Sequence, residues 1–269
     1  DFCSIAGTYQ GSYRTKKIED IVKDIELSGS KNIYFVDDNF VSDRDRTKEL
    51  CDAITPLGIN WVSQGTLKMA EDKTLLKSLE KSGCINMLIG FESLNPLTLE
   101  KMGKSWGTLS RSYSESIGIL RDHGISLYST FVFGYDDDTP GDITRTVDFA
   151  LKEKFALAAF NHLVPFPGTP IYERLKNEEK LLDNEWWLND NLQFGDVVFK
   201  PKNFEPAQLA EACFNARTEF YKFSNFIPRI TDFKANSKSI LNFMHLSWVN
   251  LFSGKEAKRR QGWPIGRVE

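Results

Sequence analysis

Apolar positions along the chain follow two alternating rhythms. Short runs rich in β-branched and aromatic residues occupy 32–36, 59–64, 85–91, 125–134 and 157–164, and these read as strands. Between them the apolar spacing switches to that of helices. Ile18, Ile21, Val22 and Ile25 share one face and stop at Gly29. Further helices are predicted over 44–57, 73–83, 95–104, 109–123 and 140–154. In the last of these, Pro140 and Asp142 suit a first turn. Strands recur every 25–40 residues or so, the period of repeated β–α units with parallel strands. The expectation is an α/β chain: a partial, TIM-like (β/α)6 barrel, one strand of which would precede the first visible one.

The rhythm changes after about residue 178. A loop-like stretch contains one short extended piece at 196–199, and helices are predicted over 205–226 and 234–254. The basic end, 255–269, reads as a frayed, solvated tail. The organisation expected is therefore a core barrel at 1–178 and a mostly helical region at 179–269.

Composition narrows the function classes. A net charge of −3 argues against a nucleic-acid binder. The longest apolar runs are far too short for a membrane span, and a cytoplasmic location is the expectation. The four cysteines, Cys3, Cys51, Cys84 and Cys213, are too scattered for a disulfide framework. The last three lie in apolar or helical surroundings and read as buried fillers. Cys3 does not: it follows Phe2 and precedes a Ser/Gly-rich loop.

Parallel barrels place chemistry at the carboxyl ends of their strands. The residues found there are Asp37-Asp38-Asn39-Phe40, then Gln64-Gly65, then Gly90-Phe91-Glu92-Ser93, then Gly134-Tyr135-Asp136-Asp137-Asp138-Thr139, then Pro165-Phe166-Pro167-Gly168-Thr169-Pro170. Acids and amides in such a ring would grip an ammonium and hydroxyls, with glycines where backbone approaches a ligand. Each piece also has a plainer reading. Asp38 could cap the next helix, Glu92 could be a paired or capping acid, and the Asp136–Thr139 and Pro165–Pro170 stretches could be turns alone. An aldolase barrel fits less well. The only strand histidine is His162, His123 and His245 lie in helices, and no strand carries the lysine a Schiff base needs. Tyr128, Thr130, Asn161 and His162 would line the interior, and Trp186 and Trp187 would pack the appended helices.

These motifs resemble a known family. "DFC" is similar to the end of the C-x3-C-x-φ-C loop of radical S-adenosylmethionine enzymes, with Phe2 as φ. "IYFVDDNF", "LIGFESLNPLTLEKMGK", "FVFGYDDDTPGDITRTVDFA" and "PFPGTPIYERL" resemble, in order, later strand-end motifs of its cobalamin-associated branch. The likeness runs over essentially the whole chain. It implies a [4Fe–4S] cluster, with Cys3 as the third thiolate ligand, and reductive cleavage of S-adenosylmethionine to a 5′-deoxyadenosyl radical. It implies methylation, cyclisation or rearrangement of a small-molecule substrate, with cobalamin held by an upstream domain and electrons from flavodoxin or ferredoxin. By position, Asp37 and Asp38 would hold the methionyl amine, and Glu92 and Ser93 the ribose or carboxylate. Gly134, Pro165 and the Phe2 backbone would meet the adenine, with Gln64 as an added polar contact. The other two cluster cysteines and the first strand would lie outside this sequence, which reads as a fragment beginning mid-loop. A methylthiotransferase and a non-catalytic barrel remnant are the alternatives, the first disfavoured by the acidic balance.

Overall fold

The computed structural model describes residues 1–5, 14–104 and 109–265. Its centre is one five-stranded sheet in which every pairing is parallel and the order follows the chain, β1-β2-β3-β4-β5. The strands are β1 Asn32–Tyr34, β2 Asn60–Gly65, β3 Cys84–Glu92, β4 Ser126–Phe133 and β5 Leu157–His162. Helices α1 Ile18–Ser28, α2 Arg44–Ile54, α3 Lys73–Lys81, α4 Pro96–Lys101, α5 Tyr113–Asp122, α6 Pro140–Lys152 and α7 Pro170–Asn177 alternate with them. The result is a half-barrel ringed by helices, the α/β architecture expected from the two rhythms. All five predicted strands are present, with ends shifted by one or two residues.

Side-chain alternation fixes which face is covered. On β3 and β4, Met87, Ile89, Phe91, Leu127, Ser129, Phe131 and Phe133 are buried beneath the helices. Phe91 stacks on Phe131 and Phe131 on Phe160, an aromatic ladder crossing three strands. The opposite face, carrying Leu88, Gly90, Tyr128, Thr130, Ala159 and Asn161, is half-buried or open. Tyr128, Thr130 and Asn161 thus line the concave side as expected. His162 does not: its register partner is Phe133, so it shares the helix-covered face. There burial lowers its pKa, favouring the neutral ring.

Helix starts follow local chemistry. Asp43 caps α2 through the Arg46 amide, and Asp72 caps α3 through Thr74 and Leu75. Ser112 with Glu115, and Thr139 with Asp142, form capping boxes on α5 and α6. Pro56 converts the end of the helix predicted at 44–57 into a 3-10 turn, Thr55–Leu57. Bonds from the Leu75 amide and the Thr74 side chain pull the Asp72 carboxyl down to about 2. Its contribution is therefore full above the ordinary value of 3.8 and lost as pH falls through about 2. Asp72→Ala is expected to cost about 1 kcal/mol at neutral pH. In thermal melts, the gap to the parent should close as pH drops below 4 or so; a gap that stays constant in acid would refute this role.

The C-terminal region is helical, as expected, but its segments break elsewhere. The helix predicted at 205–226 is two, α8 Pro206–Phe220 and α9 Phe223–Ile230. Carbonyls at the junction leave the ladder: Phe220 O accepts from Arg229, and Glu219 O from Asn225. The last helix, α10, spans Ile240–Arg260. Residues 255–260 are thus helical rather than frayed, with Glu256 paired to Arg259 and Arg260. Residues 266–269 lie outside the described residues. Leu209, Cys213, Ala216 and Phe220 of α8 belong to the same buried cluster as the sheet. The Tyr221 hydroxyl donates to Ala158 O and accepts from Ala158 N, standing in for a neighbour at the free edge of β5. Cys51, Cys84 and Cys213 are buried; burial raises the first thiol to about 11 and the last to about 12.

Candidate functional site

A cavity of about 580 Å³ opens at the carboxyl ends of β2 and β3, within the usual range of small-molecule sites. Phe2, Cys3, Asp38, Gln64, Gly90 and Glu92 all face it. The first residues reach it because the 134–135 corner holds them. The Tyr135 hydroxyl donates to the Asp1 carboxylate at 2.8 Å, Phe2 meets the Tyr135 ring edge-on, and the Ile171 amide donates to Asp1 O. Burial of Tyr135 keeps its phenol protonated well beyond its ordinary range. Cys3 is exposed, unlike the other three cysteines.

Glu92 is the most constrained residue of the rim. It sits at φ 62° with its register partner on β4 displaced by a bulge after Gly90. A non-glycine residue held there is strained, and such strain concentrates at binding sites. Its carboxylate is nearly buried and accepts from Lys104 Nζ at 2.6 Å. A Cβ on Gly90 would lie 2.3 Å from Glu92 Oε1 and 3.2 Å from Lys104 Nζ. Glycine at position 90 therefore makes the space this ion pair occupies. Lys104 and Lys68 also line the cavity. Gly90 stood in the expected rim; the sequence reading missed both lysines. The only available signal was the "MGK" ending of the β3–α4 motif, a lysine held just past a left-handed glycine, Gly103.

Four expected site residues do not line this cavity. Asp37 faces a second cleft of about 420 Å³ between α1, β1 and α2, with Arg14, Lys16 and Arg46. The Ser93 hydroxyl accepts from the Asn95 amide and shapes the turn into α4. At Gly134, φ is 111° and a Cβ would strike Leu209 and Phe199, so tight packing against the C-terminal region accounts for this glycine. Pro165 O accepts from Trp186 Nε1, which makes Trp186 a packing residue while Trp187 is more exposed. The acids of the 136–138 stretch are likewise engaged: Asp136 with Arg174, Asp137 with Lys101, and Asp138, fully buried, with Gly134 N, Tyr135 N and Thr98 Oγ1. Burial raises the Asp138 pKa despite those bonds.

Of the plainer readings, the helix cap fails for Asp38, since Asp43 caps α2. Asp38 is exposed toward the cavity, and beside it the Asn39 amide oxygen is buried without a partner. For an iron–sulfur cluster the fit is incomplete. Among the described residues no three His, Cys, Asp or Glu side chains converge as a metal site, and Cys3 offers a single thiolate.

Comparison with known proteins bears on this geometry. A family profile described as the Radical SAM superfamily matches residues 1–150. The chain belongs to that superfamily. This radical SAM chain is 29% identical over 260 residues to bacteriochlorophyllide d C-12(1)-methyltransferase of Chlorobaculum tepidum, covering 94% of the chain and 55% of that protein. It is 24% identical over 229 residues to the anaerobic magnesium-protoporphyrin IX monomethyl ester cyclase of Cereibacter sphaeroides, covering 82% and 36%. The fold of OxsB, a cobalamin-dependent S-adenosylmethionine radical enzyme solved with aqua-cobalamin and S-adenosylmethionine bound, matches with a TM-score of 0.57 at 14% identity, over 93% of this chain and 48% of that one. The chain thus spans about half the length, or less, of the relatives it matches.

Proposed function

We propose that this chain is the S-adenosylmethionine-binding half-barrel of a cobalamin-associated radical enzyme that methylates a small molecule. The observation that carries the reading is the meeting of Cys3, Asp38, Gln64 and Glu92 around one cavity. When bound, a reduced [4Fe–4S] cluster supplies the electron that cleaves the sulfonium, and cobalamin supplies methyl transfer. Cys3 would give one thiolate to such a cluster, and the described residues do not give the others.

The chain's own residues bind and orient. Asp38, exposed toward the cavity, accepts from the methionyl ammonium. Glu92, held by Lys104, takes the ribose hydroxyls, and Gln64 adds a neutral polar contact. The Phe2 backbone stays on the adenine edge. Asp37 faces the other cleft, so the ammonium falls to Asp38 alone. Ser93, Gly134 and Pro165 act indirectly by shaping the rim. A core at 1–178 carries these loops and the region 179–269 covers their far side; α8 shares the core, so the two fold together. A flavodoxin or ferredoxin as electron donor and a cytoplasmic location complete the reading. Among the described residues, no helix is long and apolar enough to cross a membrane.

The test uses the whole gene product that contains this chain, reconstituted anaerobically with iron and sulfide, then reduced and given S-adenosylmethionine. Release of 5′-deoxyadenosine together with S-adenosylhomocysteine is expected. A fully loaded cluster that releases neither would sink the proposal.

A further inference from the structure

Helix α10 turns an unusual face to solvent. Ile240, Leu241, Met244, Trp248, Leu251 and Phe252 are each more than half exposed, from 52% to 80%. At 3.6 residues per turn they fall within a stripe about 120° wide and about 20 Å long. Leu246 and Asn250, on the opposite side, are the residues buried against the rest of the molecule. The helix is therefore apolar on both sides, and only one side has a protein partner among the described residues. Trp248 and Phe252 lie against each other, ring centroids 4.2 Å apart, without covering either ring.

The charge on this face says what would cover it. Carried on by helical spacing, the same stripe continues into Lys255, Lys258 and Arg259, all exposed. Lys255 and Lys258 have no ion-pair partner among the described residues, and the segment 240–255 contains no acid at all. Glu256, the only acid of α10, sits off the stripe, partly buried. The Arg259 guanidinium lies over the ring of Trp263, itself half exposed. An acidic chain, net charge −3, has thus gathered an acid-free apolar band that ends in a basic cluster. An apolar stripe that carries Trp and Phe and runs on into unpaired lysines fits a surface of phosphates over hydrocarbon.

We propose that α10 is an interfacial helix that docks this protein on an anionic lipid surface. The Ile240–Phe252 stretch dips below the headgroups, Trp248 sits at the boundary, and Lys255 and Lys258 bind lipid phosphates at the shallower end. The helix lies on the membrane and does not span it, which agrees with the absence of a spanning helix among the described residues. This proposal is independent of the cofactor reading, since α10 is remote from that cavity's lining residues.

Cosedimentation of the full gene product with vesicles tests it. Binding is expected to vesicles of phosphatidylcholine mixed with phosphatidylglycerol and not to phosphatidylcholine alone, and it should weaken as salt rises. Lys255→Glu with Lys258→Glu should lower partitioning on the order of 100-fold. Trp248→Glu with Leu251→Glu should abolish it, while circular dichroism shows the helical content unchanged. No binding to either vesicle, or binding that survives the Trp248/Leu251 change, overturns the proposal. So does light scattering that shows a dimer which the same change splits, because the face would then belong to a second copy.

Discussion

Replacing Arg229 with methionine is expected to lower the unfolding free energy by about 3–5 kcal/mol, one of the largest single-residue losses in the chain. Arg229 is fully buried, yet no carboxylate faces it among the described residues. Its guanidinium donates instead to main-chain carbonyls: Asn225 O at 3.0 Å, Phe220 O at 3.0 Å, Ala156 O at 3.1 Å and Phe155 O at 3.4 Å. The plane also lies 3.9 Å from the centre of the Phe220 ring. Burial pulls the group down to about 10, which leaves it charged at neutral pH. These carbonyls belong to the end of α8, the start of α9 and the turn before β5. One side chain therefore ties the C-terminal helices to the edge of the sheet. Methionine fills similar space but withdraws all of these donors from a dry interior, and only Ala156 O keeps a side-chain donor, Asn250 Nδ2. Lysine keeps the charge but not the fork geometry, and should recover only part of the loss. Thermal and urea unfolding of the variants check this. A methionine variant within about 1 kcal/mol of the parent would show that water or local repacking satisfies the carbonyls instead.

Arg229 also marks where sequence reading stops. Hydrophobic periodicity located all five strands and the helices between them, because a half-barrel with one covered face enforces alternation on strands and a stripe on helices. It could not see the break in the helix predicted at 205–226, where Phe220 O is taken by Arg229, a side chain that also reaches carbonyls far along the chain. The basic end misled for a related reason: Lys and Arg read as solvated tail, but Glu256 pairing and a favourable C-terminal dipole keep 255–260 helical.

The candidate site was legible in part. Rim position brought Asp38, Gln64 and Glu92 to notice, and all three reach the cavity with Phe2 and Cys3. The chain turns at 38–40, just past β1, so Asp37 faces the second cleft while Asp38 reaches the cavity. Gly134 shows the limit of reading a rim glycine as room for a ligand, since the atoms it clears belong to Leu209 and Phe199. Gly90, expected at the same rim, is the one whose missing side chain leaves room inside the site.

That contrast yields a prediction in which folding and binding part company. Gly90→Ala should change stability by no more than about 1 kcal/mol, since Gly90 has no left-handed backbone angle and the narrowed unfolded ensemble offsets part of the cost of moving the ion pair. The atoms its Cβ meets are side-chain ends, Glu92 Oε1 and Lys104 Nζ, not backbone. Those ends must move, and with them the carboxylate that the proposed function assigns to the ribose hydroxyls. Losing one charge-assisted bond of about 1.5–3 kcal/mol corresponds to a fall in S-adenosylmethionine affinity of roughly 10–100-fold. Lys104→Met should weaken binding through the same carboxylate, while Lys104→Arg, which keeps a cation within reach of Glu92, should restore much of it. Equilibrium dialysis of labelled S-adenosylmethionine against the reconstituted gene product, run beside thermal melts, separates the two effects. If Gly90→Ala binds as tightly as the parent, Glu92 is a structural acid of the β3 bulge and the ribose is held elsewhere. If the same substitution unfolds the protein, the ion pair supports the sheet and not the site.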